Sequence, residues 1–415
     1  MQFLANDFVK VMDTTEEHLF SYSPGICMGE HNRIIISCEA AGNNEVLKNY
    51  KVTGLRYGGY TQGRIFISDD EGNTFKKVHE FPFMHMRPFK AGKRLYILGH
   101  CGDLMIIYSE DNGDTWSEPF YLSQNQDWHQ APCNVWYQNG YIYLVMERRI
   151  TDDVTGWPVN NMAPVLMRGK TDSDLTKREN WTFASELPFF DAVDKRELDY
   201  IGVPFFWSPE KTYIEVAPKR YMANIGWLES NVVKINDEKH YLYEKNTFHI
   251  FMRAHTGMTN IGCLLKAVEK EDGTIETLVE TVPSGKKLVY LPIPGGQMKF
   301  HIIYDDVTKL YWLLSTQTRD SMTRAELLNS DRYNLPDNER NKLVLHFSSN
   351  CIDWCFAGMV TKGETEIMSR HYASMTVNKD DLYIVSRSGD EHSQSAHNGN
   401  FISFHKVENF RKLVY

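Results

Sequence analysis

Five apolar runs in this sequence end in an acid, a base or an imidazole. Arg33 to Ala40 carries Glu39 near its end, Arg94 to Gly99 leads to His100 and Asp103, and Gly140 to Met146 leads to Glu147, Arg148 and Arg149. Phe248 to Ala254 holds Arg253 and runs into His255, while Asp381 to Ser386 runs into Arg387 and Asp390. The strand-like segments that precede these runs offer Arg87, His129 with Gln130, Glu229 with Asn231, Lys299 with His301, and Arg370 with His371. Core packing alone does not place charge repeatedly at the ends of apolar strands. Hydrolysis of a glycosidic bond needs two carboxyl groups, one to donate a proton and one to act as base or nucleophile. Glu229 and Glu147 are the expected pair. Glu229 sits among Trp227, Leu228, Val232 and Val233, where burial disfavours the charged form and suits it to proton donation. Glu147 adjoins Arg148 and Arg149, neighbours that suit an ionised base.

The cations and imidazoles around that pair define what could be bound. Arg87, His100, Arg148, Arg253, Lys299, His301, Arg370, His371 and Arg387 would hold an anionic sugar through guanidinium and N–H contacts. The rival chemistry is β-elimination from a uronic acid, in which arginine neutralises the carboxylate and His or Tyr removes the C5 proton. His129, His100, His371 and Tyr200 are the residues that route would use. A carbohydrate-binding module without turnover is the third reading.

Positioning such residues requires strands. The chain has 415 residues, 42% hydrophobic and 24% charged, the composition of an ordinary globular protein. Its apolar runs are short, rich in Ile, Val, Leu, Tyr and Phe, and bounded by Gly, Asn, Asp or Lys turns, which predicts an all-β chain. Thr323 to Asn329 is the best helical candidate.

Repeats organise these strands. Ser68-Asp69-Asp70-Glu71-Gly72-Asn73-Thr74-Phe75 and Ser109-Glu110-Asp111-Asn112-Gly113-Asp114-Thr115-Trp116 share Ser, Asp, Gly, Thr and an aromatic at an offset of 41 residues. Ser and Asp can bond the turn's own backbone, Gly supplies a positive φ, and the aromatic plugs the sheet below. Weaker echoes run from Thr171 to Trp181 and from Ser348 to Trp354. Six inner strands can be counted, at Tyr22 to Met28, Met84 to Lys90, Trp128 to Trp136, Gly226 to Ile235, Gly296 to Asp305 and Arg370 to Val377. Each is followed by a turn and an apolar strand. The spacing is about 65 residues per unit, above the roughly 40 to 50 of a four-stranded blade, and insertions near 151–162, 186–225 and 319–340 absorb the surplus. The expectation is one domain, a six-bladed β-propeller in which the Phe8 to Met12 stretch joins the last blade and closes the ring. The aromatic-rich 186–225 insertion, with Phe189, Phe190, Tyr200, Phe205, Phe206, Trp207 and Tyr213, is expected to cover the pocket rim or a second subunit.

The turns resemble the Asp boxes (BNR repeats) of the sialidase-like propellers. Further segments look like a bacterial branch of that family labelled exo-alpha-sialidase by similarity. They are Ser23-Pro24-Gly25, His129-Gln130-Ala131-Pro132, Trp227-Leu228-Glu229-Ser230-Asn231-Val232-Val233, Gly295-Gly296-Gln297-Met298-Lys299-Phe300, Ser386-Arg387-Ser388 and His397-Asn398-Gly399-Asn400-Phe401-Ile402-Ser403-Phe404-His405. The resemblance covers nearly the whole chain. It implies an exo-glycosidase acting on a terminal acidic sugar; sialidases hold the substrate carboxylate with three arginines and use a Tyr nucleophile assisted by Glu, with an Asp as acid/base. Here Tyr22-Ser23-Pro24-Gly25 stands where that family carries its leading arginine.

Charge and motif content narrow the partners. A net charge of −9 without a long basic run argues against nucleic acid. No apolar stretch reaches the roughly 20 residues of a membrane helix. Seven unpaired-looking cysteines and a start lacking a basic leader and an apolar core segment predict a cytoplasmic protein. Phosphate loops, nucleotide fingerprints and zinc motifs are absent from the sequence, so no cofactor and no metal are expected.

Overall fold

The computed structural model describes residues 2–151, 158–193, 214–217, 220–222, 225–255, 260–320, 323–328 and 339–415. Its strands form six consecutive antiparallel blades, each starting with an inner strand. Blade 1 opens with Phe20–Met28 and Ile34–Ala41, blade 2 with Met84–Ala91 and Arg94–Cys101, and blade 3 with Trp128–His129 and Trp136–Gln138 on Tyr141–Arg149. Blade 4 opens with Gly226–Val233 and Thr247–His255, blade 5 with His301–Asp305 and Leu310–Thr316, and blade 6 with Arg370–Asn378 and Asp381–Ser388. The strand Val9–Asp13 pairs with Phe401–Val407 as the outer strand of blade 6, with Val9 opposite Phe404 and Met12 opposite Ile402. Both ends of the sequence therefore close the ring, as the spare N-terminal strand predicts.

The second strand of each blade is buried on both faces, which is why it reads as an unbroken apolar run. In Ile34–Ala41 the faces alternate: Ile34, Ile36 and Cys38 pack against Val385, Ile402 and Phe404 of blade 6, while Ile35 packs against Ile97 and Ile107 of blade 2. The same arrangement recurs around the ring, with Leu144 and Met146 in the blade 2–3 core and Tyr143 and Val145 against Phe248 and Ile250 in the next. The hydrophobic core is thus a set of wedges between sheets, and the inner strands are left to line the axis.

The two matching turns are built alike. The Asp70 carboxylate accepts from Thr74 N at 2.9 Å and Thr74 Oγ1 at 2.6 Å, and Ser68 Oγ accepts from Gly72 N at 3.0 Å. At the second turn Asp111 accepts from Thr115 N at 2.9 Å and Thr115 Oγ1 at 2.5 Å, and Ser109 Oγ accepts from Gly113 N at 2.8 Å. These bonds, led by that from the Thr74 hydroxyl, hold the Asp70 carboxyl down to about 2. Gly72 has φ +89°, and a Cβ there would run into the Phe404 ring.

One expectation changes and a second falls largely outside the described residues. The Thr323 to Asn329 candidate contains only one 3-10 turn, Ala325–Leu327, with Asn329 outside the described residues. The 186–225 insertion begins by folding onto its own blades: the short helix Phe189–Ala192 sets Phe189 edge-on to Trp227 at 5.1 Å, and Val193 joins the blade 3–4 core. Its Tyr200, Phe205, Phe206, Trp207 and Tyr213 lie outside the described residues.

Candidate functional site

Four inner strands carry the same irregularity close to their beginnings. The register slips between Tyr22 and Gly25, Met84 and Arg87, Leu228 and Asn231, and His371 and Ser374. Inside each slip one residue is left-handed: Ser23 (φ 44°), His85 (φ 53°), Glu229 (φ 59°) and Tyr372 (φ 50°). Left-handed non-glycine residues are uncommon, and such bulges re-aim side chains away from the alternation of a regular strand. Here they turn His85, Glu229 and Tyr372 toward groups on other strands at one end of the axis.

Glu229 and Tyr372 meet on one guanidinium. Arg253 Nη1 donates to the Tyr372 hydroxyl at 2.9 Å and lies 3.4 Å from Glu229 Oε2, while its Nε donates to Gln297 O at 2.7 Å. Burial first, and then the charge of Glu229, push the Tyr372 hydroxyl up to about 12. Two more arginines flank that phenol. Arg387 lies 5.3 Å from the Tyr372 ring and 3.8 Å from the Tyr22 ring, and Arg340 lies 5.8 Å from the Tyr372 ring with its Nη1 3.1 Å from His371 Nδ1. Arg387 also bonds the backbone carbonyl and Nδ1 of His397. Burial, reinforced by these guanidinium groups, keeps His371 and His397 well below the usual imidazole range.

A second cluster faces the first from blades 1 to 3. His129 Nδ1 lies 2.9 Å from Glu147 Oε2, and Glu147 Oε1 accepts from Ser230 N at 3.0 Å and Ser230 Oγ at 2.8 Å. Glu147 is 0% exposed and both its oxygens are taken inside the protein, an arrangement that fixes the His129 ring and departs from the base expected of Glu147 from the sequence. Beside it runs a relay of donors. Arg56 Nη1, which can only donate, lies 2.8 Å from His100 Nδ1, and His100 Nε2 lies 3.0 Å from His85 Nδ1. Burial holds His85 and His100 well below the usual range, so both rings are neutral. With Nδ1 accepting in each, the relay leaves His85 with an N–H at Nε2. Glu39, pushed up by burial, closes the cluster by accepting from Thr61 Oγ1 at 2.9 Å and His85 N at 3.3 Å. His85, His129, Arg56, Arg149 and Tyr57 border a cavity of about 380 Å³ at this mouth.

Of the residues singled out in the sequence, Glu229, Glu147, His129, His100, Arg253, His371 and Arg387 come together here. Others do not. Arg148 points outward, bonding Asp127 O at 3.0 Å and lying over Trp128, because it follows inward-facing Glu147 on a regular strand. Arg370 bonds Ser369 O and Gly389 O and stacks between Phe8 and Phe401, so it ties the closing strand to blade 6. Arg87, Lys299 and His301 lie deeper in the axis, beyond the bulges, with Arg87 and His301 bordering a cavity at the far end. Tyr200 is outside the described residues. Residues that sequence reasoning missed are His85, Tyr372, Tyr22, Arg56 and Arg340. Nothing in the sequence spacing marks His85 and Tyr372, which stand at different distances from the starts of their strands.

Solved structures share this architecture. A protein of unknown function from Dyadobacter fermentans matches with TM-score 0.57 and 11% identity over 97% of this chain and 98% of its own. Hadza microbial sialidase Hz136 matches with TM-score 0.55 and 12% identity over 97% and 68%. The alpha-L-arabinanase of Penicillium chrysogenum, solved with arabinobiose, matches with TM-score 0.53 and 9% identity over 99% of each chain. No family model and no curated protein matches the chain. At these identities the likeness carries the fold: a six-bladed propeller of the kind that glycoside hydrolases also use.

Proposed function

We propose that this protein is a sialidase-like exo-glycosidase that removes a terminal acidic sugar. The observation that carries the reading is the sharing of Arg253 by Tyr372 and Glu229, with Arg340 and Arg387 on the other side of the phenol. A phenol pushed up to about 12 needs a base to become a nucleophile, and Glu229 is the carboxylate beside it. Tyr372 attacks the anomeric carbon and gives its proton to Glu229, while the glycosidic oxygen leaves with a proton from His129. Water, with His129 as base, then attacks the anomeric carbon and breaks its glycosidic bond to the Tyr372 oxygen, which takes its proton back from Glu229. The three arginines hold the sugar carboxylate, in place of the leading arginine that Tyr22 replaces. The Asp-box resemblance and the sialidase and arabinanase folds support the class; the seven free thiols support a reducing compartment.

A panel of acidic glycosides, assayed for released sugar, tests this. A fluorinated mechanism-based glycoside should add its mass to the peptide containing Tyr372, and a Tyr372→Phe protein that hydrolyses at the normal rate would end the proposal. The His129–Glu147 pair beside neutral His85 favours one second reading, β-elimination from a uronide with His129 as base. An ultraviolet-absorbing unsaturated product marks that route, and neither product marks a binding module.

A further inference from the structure

Two imidazoles from adjacent blades border the mouth cavity of about 380 Å³, and their surroundings give them opposite duties. His129 Nδ1 faces the Glu147 carboxyl at 2.9 Å. A carboxylate accepts, so that ring keeps a proton on Nδ1. His85, which meets the His129 ring edge-on at 5.2 Å, is approached by donors instead.

Arg56 starts that chain of donors. Its Nη2 donates to Asp127 Oδ1 at 2.5 Å, which pins the guanidinium, and its Nη1 lies 2.8 Å from His100 Nδ1. A guanidinium has nothing to accept with, so His100 Nδ1 must be bare. The Gln130 backbone, which also bonds the His100 ring, favours a proton on it, and Nε2 is the nitrogen left to carry one. That Nε2 lies 3.0 Å from His85 Nδ1, which must accept in turn. Reversing this bond would strip both nitrogens of His100 and make it an imidazolate. The His85 proton therefore stands on Nε2.

A second observation says where that proton points. His85 Nε2 makes no hydrogen bond with the described residues, and it is not sealed from solvent as His371 Nε2 is. The opening is the cavity, which His85 borders with Arg149, Pro158 and Met162. The charge there suits an anion: Arg56 and Arg149 share the one carboxylate of Asp127, at 2.5 and 3.3 Å, so the trio is net positive.

We infer that Arg56 and His100 are positioning residues that hold His85 as a permanent N–H donor, through Nε2, to an oxygen of a sugar acid bound in this cavity. While the relay stands, His85 cannot take a proton from substrate, and that work falls to His129. The inference rests on the reading of this mouth as the sugar site and is independent of turnover.

Neutron diffraction from crystals of the perdeuterated protein reads both rings. Deuterium is expected on Nε2 of His85 and His100 and on neither Nδ1. In Arg56→Met the relay loses its fixed donor, so part of the deuterium should move to His85 Nδ1; Arg56→Gln, whose amide can also accept, serves if that variant does not fold. Glucuronate and N-acetylneuraminate are the binding probes. A soaked crystal should place an oxygen of one of them in hydrogen-bonding range of His85 Nε2. Its Kd should weaken at least about fivefold in His85→Phe, the worth of one hydrogen bond, and partly recover in His85→Gln, which keeps an N–H. Deuterium on His85 Nδ1 in the native protein, rings unchanged in the Arg56 variant, or both sugar acids indifferent to His85→Phe would each overturn the inference. If all the expected results hold and no glycoside is cleaved, the hydrolase falls and the donor remains.

Discussion

Two places in this propeller bend the chain through left-handed residues, and they treat their polar atoms in opposite ways. At the outer turns of blades 1 and 2, Asp70 and Asp111 bond the threonine four residues on, so each turn satisfies itself. At the inner bulges, Glu229 and Tyr372 meet on Arg253 of the second strand of blade 4, and His85 leans on His100, which leans on Arg56 from blade 1. Self-contained turns stabilise a sheet and have nothing left to offer a ligand. Bulges whose side chains depend on groups from other strands and other blades are strained and mutually supported, the pattern expected where strain serves function.

The sharpest break of that contrast is Glu229→Gln. It should lower turnover by a factor of about 10² to 10⁴, the usual loss for an acid–base group, with a melting temperature close to that of the native protein. Next comes Glu147→Gln, which leaves His129 in place but removes its anionic partner. We expect a loss of at least about tenfold together with a displaced pH–rate profile, and partial rescue in Glu147→Asp; an unchanged profile would make Glu147 a packing residue only. On the other side of the comparison, Asp70→Ala should lower the melting temperature by roughly 2 °C while turnover per folded molecule stays the same. Lost turnover at unchanged stability would erase the distinction between rim and axis.

The smallest effect is one of pH. Burial pushes His405 down to about 4 from its ordinary 6.5, its ring held between Ser403 Oγ and Ala5 O beside the Arg370 charge. An unfolded imidazole takes its proton near 6.5 and this one only near 4, so protons favour the unfolded state between those values. Stability is therefore complete above pH 6.5 and declines as the pH falls toward 4. Hydrogen exchange at Val9–Asp13, which pairs with the strand carrying His405, should quicken as the pH falls through that window.

Much of this was legible before any coordinates. The 41-residue echo of the turns, six inner strands and a spare strand at the start sufficed for the fold, because two-sided burial writes the second strands as plain apolar runs. Those runs also exposed Glu147, Arg253 and Arg387, whose charge interrupts a clear pattern. His85 and Tyr372 were hidden because a bulge breaks the period of two by which inward residues are counted. The same miscount promoted Arg370, which faces Phe8 and Phe401. Arg56 and Arg340 come from outer or connecting segments, where an inner-strand filter does not look, and Arg87 and Lys299 lie on the axis deeper than the bulges.

The pairing of Val9–Asp13 with Phe401–Val407 also bears on how the chain is made. Blades 1 to 5 join strands close in sequence and can assemble as each leaves the ribosome. Blade 6 alone draws its edge from residues synthesised nearly four hundred positions earlier. Bringing such distant segments together costs about 5 kcal/mol of chain entropy beyond a fixed term, so it is the last event rather than the first. Until Phe401–Val407 has been made the opening strand has no partner, and the flank of blade 1 carrying Ile34 and Ile36 lacks its cover. Before then such a ring can exist only as an open arc, and the pairing with Val9–Asp13 is the step that closes its axis.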